Sequence, residues 1–198
     1  MTSDAARAVL AQAREAVLVE KLAARIEDTT FPVGPTGSVK VRIFVDYERS
    51  PEARYPTAIE QAFASILYVA EHADALGVDA SRLAIFGDNL GGNMSAALML
   101  MVKERQGPRF ALQVLFYPVT DANFETESYN KFADGPWLTR KAMQWSWDAY
   151  LPEQSQRSKP TASPLRAILE QLQCLPALWW RWTKMMSCGT KAKPMPGS

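Results

Sequence analysis

Hydrophobic and polar positions follow two different periods along this chain. Helical spacing or helix-forming composition predicts helices in four segments, which are residues 2–26, 56–76, 93–105 and 140–150. Alternating or continuous apolar runs predict strands in three others, which are residues 28–44 (two antiparallel strands), 83–86 and 110–119. The best-defined unit among these is the strand 83–86, the turn after it and the helix that follows.

That turn reads G-D-N-L-G-G over residues 87–92. A strand, a glycine-bracketed turn and a helix predict a sharp bend that holds one side chain exposed in a strained conformation, here Asn89. Gly87 and Gly91 lie two residues either side of it, where a Cβ atom is expected to clash with the bend. The usual pattern for this bend is G-x-S-x-G, so Asn89 stands where a nucleophilic serine is expected.

The turn resembles the G-D-S-A-G-G elbow of α/β-hydrolases of the hormone-sensitive-lipase type, which are carboxylesterases. Two further stretches carry the same resemblance: V-D-Y-E-R-S-P-E-A-R-Y-P-T-A-I-E-Q over 45–61 and L-Q-V-L-F-Y-P-V-T-D over 112–121. The three motifs occur in the family's order, and the resemblance covers residues 30–175. It implies an α/β-hydrolase fold, with a mostly parallel central sheet flanked by helices, and descent from an esterase or lipase.

Several parts of the family pattern are absent. The family has a strand ending in H-G-G-G and a crossover helix before its V-D-Y strand, but here Phe44 runs directly into Val45. The H-G-G-G loop supplies part of the oxyanion hole, so the resemblance leaves the backbone N–H of Leu90 as the one surviving donor. We therefore expect an incomplete fold that lacks strands and its C-terminal part.

The composition changes from Cys174 onwards, and neither aspartate nor glutamate occurs after Glu170. Tryptophan and methionine have single codons, which fixes much of the nucleotide sequence from Trp179. Regrouped by one base, that stretch can encode D-x-L-R-D-E-G, the family motif with the catalytic aspartate. We predict three segments, which are a cap-type helix over 1–27, a partial hydrolase core over 28–173 and an aberrant, out-of-frame tail over 174–198. The first segment is equally compatible with an amphipathic helix that packs on another surface or on a partner.

Acyl transfer in this fold requires a nucleophile, a base, an orienting acid and an oxyanion hole. The one histidine, His72, precedes the elbow and is on the wrong side of the triad's chain order. With Asn89 as the degenerate nucleophile position, we expect an inactive esterase-family protein. Two alternatives stay open, a non-catalytic module that binds a ligand or protein and a hydrolase with an unconventional nucleophile. The candidates for that nucleophile are Ser95, Ser146 and Cys188.

Composition limits the partners, cofactors and cellular location that we expect for the protein. The chain has 198 residues, 47% of them hydrophobic, and a net charge of +1, which suits one globular domain and gives no reason to expect nucleic acid as a partner. It has no long apolar run and no secretory signal, so we predict a cytoplasmic protein without a membrane span. Its two cysteines lack metal spacing, and no metal or cofactor is expected. The expected partners are at most a small acyl-ester-like ligand and, through exposed sheet edges, a second copy.

Aromatic residues are concentrated in the predicted helix 140–150, at Trp145, Trp147 and Tyr150. In the resembled family such residues line or support the cap and the acyl pocket. Aromatic side chains at this spacing are more often part of a core, which is the interpretation we favour.

Overall fold

The computed structural model describes residues 47–135 and 138–181, together with Ala5. Contacts divide the chain into two units, Met1–Pro32 and Val33–Ser198, and the elements below belong to the second. The predicted hairpin over 28–44, the predicted helix 2–26 apart from Ala5, and residues 182–198 lie outside the described part.

The described residues form three strands, five α-helices and short 3₁₀ segments. The strands are β1 Leu83–Asp88, β2 Phe110–Phe116 and β3 Ala177–Arg181. The helices are α1 Thr57–Glu71, α2 Asn89–Glu104, α3 Glu127–Lys131, α4 Arg140–Tyr150 and α5 Leu169–Leu172. The 3₁₀ segments are Ala80–Arg82, Gln154–Ser158 and Pro164–Arg166.

Four element boundaries differ from the sequence prediction by two residues or more, and one of them is the end of β1, which extends to Asp88 rather than Phe86. Helix α1 ends at Glu71 rather than near residue 76, because the chain turns after His72 and closes with Gly77 at a φ of +65°. Helix α2 begins at Asn89, four residues before the predicted start, because the turn itself takes up helical hydrogen bonding. Strand β2 stops at Phe116, since Tyr117 leaves the extended conformation with a φ of +34°.

The three strands make one parallel sheet in the order β1-β2-β3. For the described residues, the predicted mostly parallel sheet is confirmed. Helices cover part of this sheet, as the predicted α/β architecture requires. β3 lies within the segment predicted to be an aberrant tail, and its Trp179 pairs with Val114 of β2. The out-of-frame origin of that tail stays a prediction.

The main core lies between α1, α2 and one side of the sheet. Ile59 and Phe63 of α1 pack with Met94, Leu98 and other apolar residues of α2, and Ile85 of β1 packs against them. A second cluster forms around α4 and includes Trp147 and Tyr150, which confirms the core interpretation for these two aromatics. Trp145 is instead 37% exposed, so for that residue the core interpretation is wrong.

The opposite side of the sheet carries an exposed row of aromatic rings. Phe86 contacts Phe116 with ring centroids 5.3 Å apart, and Phe116 contacts Trp179 at 5.2 Å. Phe86 is 60% exposed and Trp179 is 47% exposed. We call this side the aromatic face, and by the strand register it consists of nine positions, which are Ala84, Phe86, Asp88, Leu112, Val114, Phe116, Ala177, Trp179 and Arg181.

Candidate active site

The bend between β1 and α2 places Asn89 at the first helical position. Its backbone has a φ of +50°, in the left-handed region that few residues other than glycine adopt. Asparagine is among the side chains that tolerate this region best, because its short amide can bond to nearby backbone. Asn89 is half-buried, and Leu90 beside it is 37% exposed. The bend thus presents residue 89 in a strained conformation, as a nucleophile elbow does.

Two glycines are needed for this bend, Gly87 and Gly92, so the prediction for Gly87 is confirmed. A Cβ on Gly87 would overlap the carbonyl group of Gly91 and lie 2.6 Å from Oγ of Ser95. A Cβ on Gly92 would lie 3.0 Å from Cβ of Pro118. A Cβ on Gly91 would meet nothing closer than 3.9 Å, so the predicted clash at Gly91 is wrong. The backbone of Gly91, rather than its missing side chain, is what excludes a side chain at Gly87.

Asn93, one turn into α2, ties the elbow to two loops. Its amide nitrogen donates to the carbonyl oxygen of Val119 at 2.6 Å and to that of Ala162 at 2.8 Å. The side chain is fully buried. The N–H of Val119 in turn donates to the carbonyl oxygen of Asn89 at 3.2 Å. The loop after β2 is therefore hydrogen-bonded to both ends of the first turn of α2.

The carboxyl ends of the three strands are tied together by Tyr117. Its hydroxyl donates to Oδ2 of Asp88 at 3.2 Å, and its backbone N–H donates to the carbonyl oxygen of Arg181 at 2.6 Å. Asp88, predicted to be a turn residue, is the last residue of β1 and immediately precedes α2. Tyr117 thus bridges the elbow strand and β3 from its position after the central strand.

The alternative nucleophiles are poorly placed for attack on a substrate. Ser95 is only 4% exposed and lies behind Gly87, inside the bend. Ser146 is exposed on α4, where its hydroxyl donates to the carbonyl oxygen of Ala142. Cys188 lies outside the described residues. Neither described serine is accompanied by a base in the contacts that the structure gives.

His72 has a local role at the end of α1. Its ring stacks on Tyr68 with centroids 4.0 Å apart and an interplanar angle of 19°. Its Nδ1 lies 3.0 Å from the carbonyl oxygen of Tyr68. Both contacts are to a residue one turn earlier on the same helix, as expected for an exposed histidine at a helix C-terminus.

A separate polar cleft of about 550 Å³ opens beside the loop that follows β2. Two ion pairs form part of its wall. Arg166 contacts both carboxylate oxygens of Asp121 at 3.1 Å, and Arg157 contacts Asp148 at 2.6 Å. The remaining lining residues are Ala122, Asn123, Phe124, Gln144, Gln154 and Ser158. Neither Asn89 nor Leu90 lines this cleft, so it is distinct from the elbow.

Two further findings concern metals and membranes. In the part of the chain that the structure describes, no group of three or more His, Cys, Asp or Glu side chains is arranged to hold a metal ion. Among the helices described, none has both the length and the apolar character needed to cross a bilayer.

Comparison with known proteins places this geometry in context. The profile of a family described as alpha/beta hydrolase fold matches residues 37–180. The carboxylesterase NlhH of Mycobacterium tuberculosis is 36% identical over 128 residues, which are 63% of this chain and 40% of that protein. An esterase of Gibberella moniliformis is 36% identical over 151 residues, which are 76% of this chain and 44% of that protein.

Solved structures give the same result. The crystal structure of a thermostable esterase from Pseudomonas putida is 50% identical and superposes with a TM-score of 0.70. The alignment covers 73% of this chain and 45% of that one. This chain therefore spans less than half the length of these relatives.

Proposed function

This chain belongs to the α/β-hydrolase fold family as a relative of its esterases, and on that premise we propose that it is a catalytically inactive member. The observation that carries the proposal is the residue at the elbow. Asn89 occupies the strained position, with a φ of +50°, from which a hydrolase of this fold presents its nucleophile.

The chemistry of the carboxamide explains why we expect no turnover. A serine hydroxyl loses its proton to a base and becomes an alkoxide that attacks the ester carbonyl carbon. The nitrogen lone pair of a carboxamide is delocalised into its carbonyl group, so Asn89 can neither attack in this way nor release an acyl group. His72, the one histidine of the sequence, is engaged with Tyr68 on α1.

Part of the binding machinery remains at the elbow. The N–H of Leu90 belongs to the first turn of α2, where the backbone N–H groups have no partner within the helix. In a hydrolase the corresponding N–H binds the oxyanion of the tetrahedral intermediate. We propose that Leu90 retains this donor and that the ligand it suits is a small acyl ester or a similar carbonyl compound.

The finer assignments are proposals too. They are the hormone-sensitive-lipase type, descent from an enzyme acting on short or medium acyl esters, a cytoplasmic location, and the division into segments 1–27, 28–173 and 174–198. The sequence of the DNA around codons 44 and 174–198 tests the segment division, because it shows directly whether the reading frame changes there.

The second candidate function is a non-catalytic binding module. The cleft beside Asp121 favours it, because a polar cavity of about 550 Å³ falls within the range of small-molecule sites. Its two arginines already face carboxylates, so a neutral polar ligand suits it better than an anion. A thermal melt that is cooperative and shifts upwards with such a ligand would support this function.

An esterase assay tests the main proposal. With p-nitrophenyl acetate and butyrate, we expect the chain and its Asn89→Ala variant to hydrolyse ester at the same rate. Asn89→Ser should not restore turnover, because a serine without a base remains a weak nucleophile. Hydrolysis by the chain clearly above that of Asn89→Ala, or labelling of residue 89 by a fluorophosphonate, would overturn the proposal.

A further inference from the structure

The aromatic face is apolar along its middle and charged at two corners. Leu112, Val114 and Phe116 of β2 are half-buried along its centre, flanked by Phe86 on one side and Trp179 on the other. A parallel sheet is normally covered on both sides, yet Phe86 and Trp179 remain 60% and 47% exposed. An apolar face of this kind is typical of an interaction surface.

The two charged corners lie at the same level of the sheet. Asp88 of β1 is in register with Phe116, and Phe116 is in register with Arg181 of β3. An acidic side chain and a basic side chain therefore stand on opposite sides of the same central residue. Both are exposed.

We infer that this face binds a second copy of the chain. The two copies are related by a two-fold axis that lies between the two sheets and runs nearly parallel to β2. Such an axis turns one sheet over onto the other and keeps the strand directions aligned, which is the common way for two sheets to pack. It places β1 of one copy over β3 of the other, and each β2 over its counterpart.

The register then places each charged corner opposite a residue of the opposite charge. Asp88 of each copy faces Arg181 of the second copy, Phe86 faces Trp179, and the two Phe116 rings meet at the axis. A two-fold axis across the strands would instead place these charges against the opposite end of the sheet. The charge pattern thus favours the arrangement with the axis along the strands. It also favours a second copy of this chain as the partner, because such a copy carries Asp88 and Arg181 at the same level of its sheet.

The dimer uses the face of the sheet, whereas the sequence suggested its edges. Nine positions on three strands make a small contact, so we expect a weak and reversible dimer that dissociates on dilution. This inference is independent of the proposed loss of catalysis, because its readout is molecular mass rather than turnover.

Sedimentation equilibrium on the full 198-residue chain, from roughly 1 to 100 μM, is the direct test. Arg181→Glu should raise the dissociation constant about tenfold, because two pairs of like charges replace two ion pairs. Asp88→Lys should act in the same direction. The double variant Asp88→Lys/Arg181→Glu restores opposite charges with exchanged positions, so its dissociation constant should return to within about threefold of the original.

Two variants complete the design. Trp179→Lys should abolish the dimer, because a charge then enters the apolar part of the contact opposite Phe86 of the second copy. This variant leaves Asp88 unchanged, so it tests the dimer even if substitutions at Asp88 disturb the elbow. Arg109→Glu makes the same charge change at an exposed position before β2, and it should leave the dimer intact. Circular dichroism melts confirm that each variant is folded.

Three outcomes would overturn the inference. One is a monomer at every concentration, including a monomer that binds a hydrophobic dye or detergent on this face. Another is a dimer that is insensitive to Trp179→Lys and Arg181→Glu, which would indicate association through an edge. The third is a charge-exchanged double variant that stays as weak as Arg181→Glu alone while remaining folded.

Discussion

The amide nitrogen of Asn93 donates a hydrogen bond of 2.6 Å to the carbonyl oxygen of Val119, and this bond joins the elbow helix to the loop after the central strand. A second bond from the same nitrogen reaches Ala162, 69 residues further along the chain. One buried side chain thus connects α2 with two loops that are far apart in sequence.

Asn93→Ala is expected to lower the free energy of unfolding by about 2–4 kcal/mol, because it leaves the carbonyl oxygens of Val119 and Ala162 buried without that donor. Urea denaturation measures the loss. Asn130→Ala is the matched control, since Asn130 is exposed on α3, and its effect should stay within about 0.5 kcal/mol. Equal effects of the two substitutions would mean that the Asn93 bonds contribute nothing particular.

Gly87→Ala and Gly91→Ala should have opposite effects. At Gly87 the new methyl group would overlap the backbone of Gly91, and we expect a loss of about 3 kcal/mol or more, or no folding at all. At Gly91 there is room, and alanine is the better helix former, so the change should be neutral or stabilising by up to about 1 kcal/mol. Thermal melts of the two variants provide the measurement. A large loss at Gly91 would contradict the geometry described for the bend.

Substitutions at Asn89 should report the strain of the bend. Asn89→Gly is expected to be neutral or to stabilise the protein by up to about 1 kcal/mol, because glycine adopts a φ of +50° without steric cost. Asn89→Val should destabilise it by about 1–2 kcal/mol, since a branched Cβ clashes with the backbone in this region. Chemical denaturation of the pair checks this, and a valine variant as stable as the glycine variant would refute it.

The ion pair between Glu60 and Arg105 should give the protein a measurable pH dependence. Two hydrogen bonds of 2.7 Å from the Arg105 guanidinium hold the pKa of Glu60 below the ordinary value of 4.5. A carboxyl with a lowered pKa in the folded state adds stability above the unfolded pKa, and that stability is lost as the pH falls through the folded pKa. Both side chains are more than 40% exposed, so the contribution is below about 1 kcal/mol.

The free energy of unfolding, plotted against pH from pH 7 to pH 3, should therefore vary less for Glu60→Gln than for the unchanged chain. Salt at roughly 1 M should narrow the difference, because exposed charges are screened. Glu71→Gln serves as the control: it removes an exposed carboxylate at the C-terminal end of the same helix, α1. A control curve as flat as that of Glu60→Gln would show that net charge, rather than this pair, sets the slope.

The local sequence pattern was sufficient to predict the bend. It was not sufficient to predict the tertiary contacts that stabilise the bend. The run L-A-I-F-G-D-N-L-G-G predicts a strand, a turn and a helix, because hydrophobic pattern and glycine spacing act within a few residues. The importance of Gly92 depends on Pro118, and that of Asn93 depends on Val119 and Ala162, which only the folded chain brings near. A polar residue inside the otherwise apolar run after the turn was the available signal for Asn93.

Strand β3 was missed for a related reason. Its sequence, A-L-W-W-R, belongs to a stretch whose composition differs from the rest of the chain, and four consecutive apolar residues do not by themselves distinguish a strand from a buried helix. The register with β2, with Trp179 opposite Val114, follows from pairing between segments more than sixty residues apart. Such pairing is governed by tertiary packing rather than by local preference.

The crowding at Gly87 has an evolutionary consequence. The shape of the bend is enforced by a backbone contact between residues 87 and 91, and residue 89 only has to tolerate the resulting conformation. Selection for a stable protein therefore acts most strongly on the glycine, whereas the apex accepts any residue that tolerates a positive φ. A single codon change at the apex, from serine to a residue that accepts this conformation, can therefore remove the nucleophile while the bend keeps its shape.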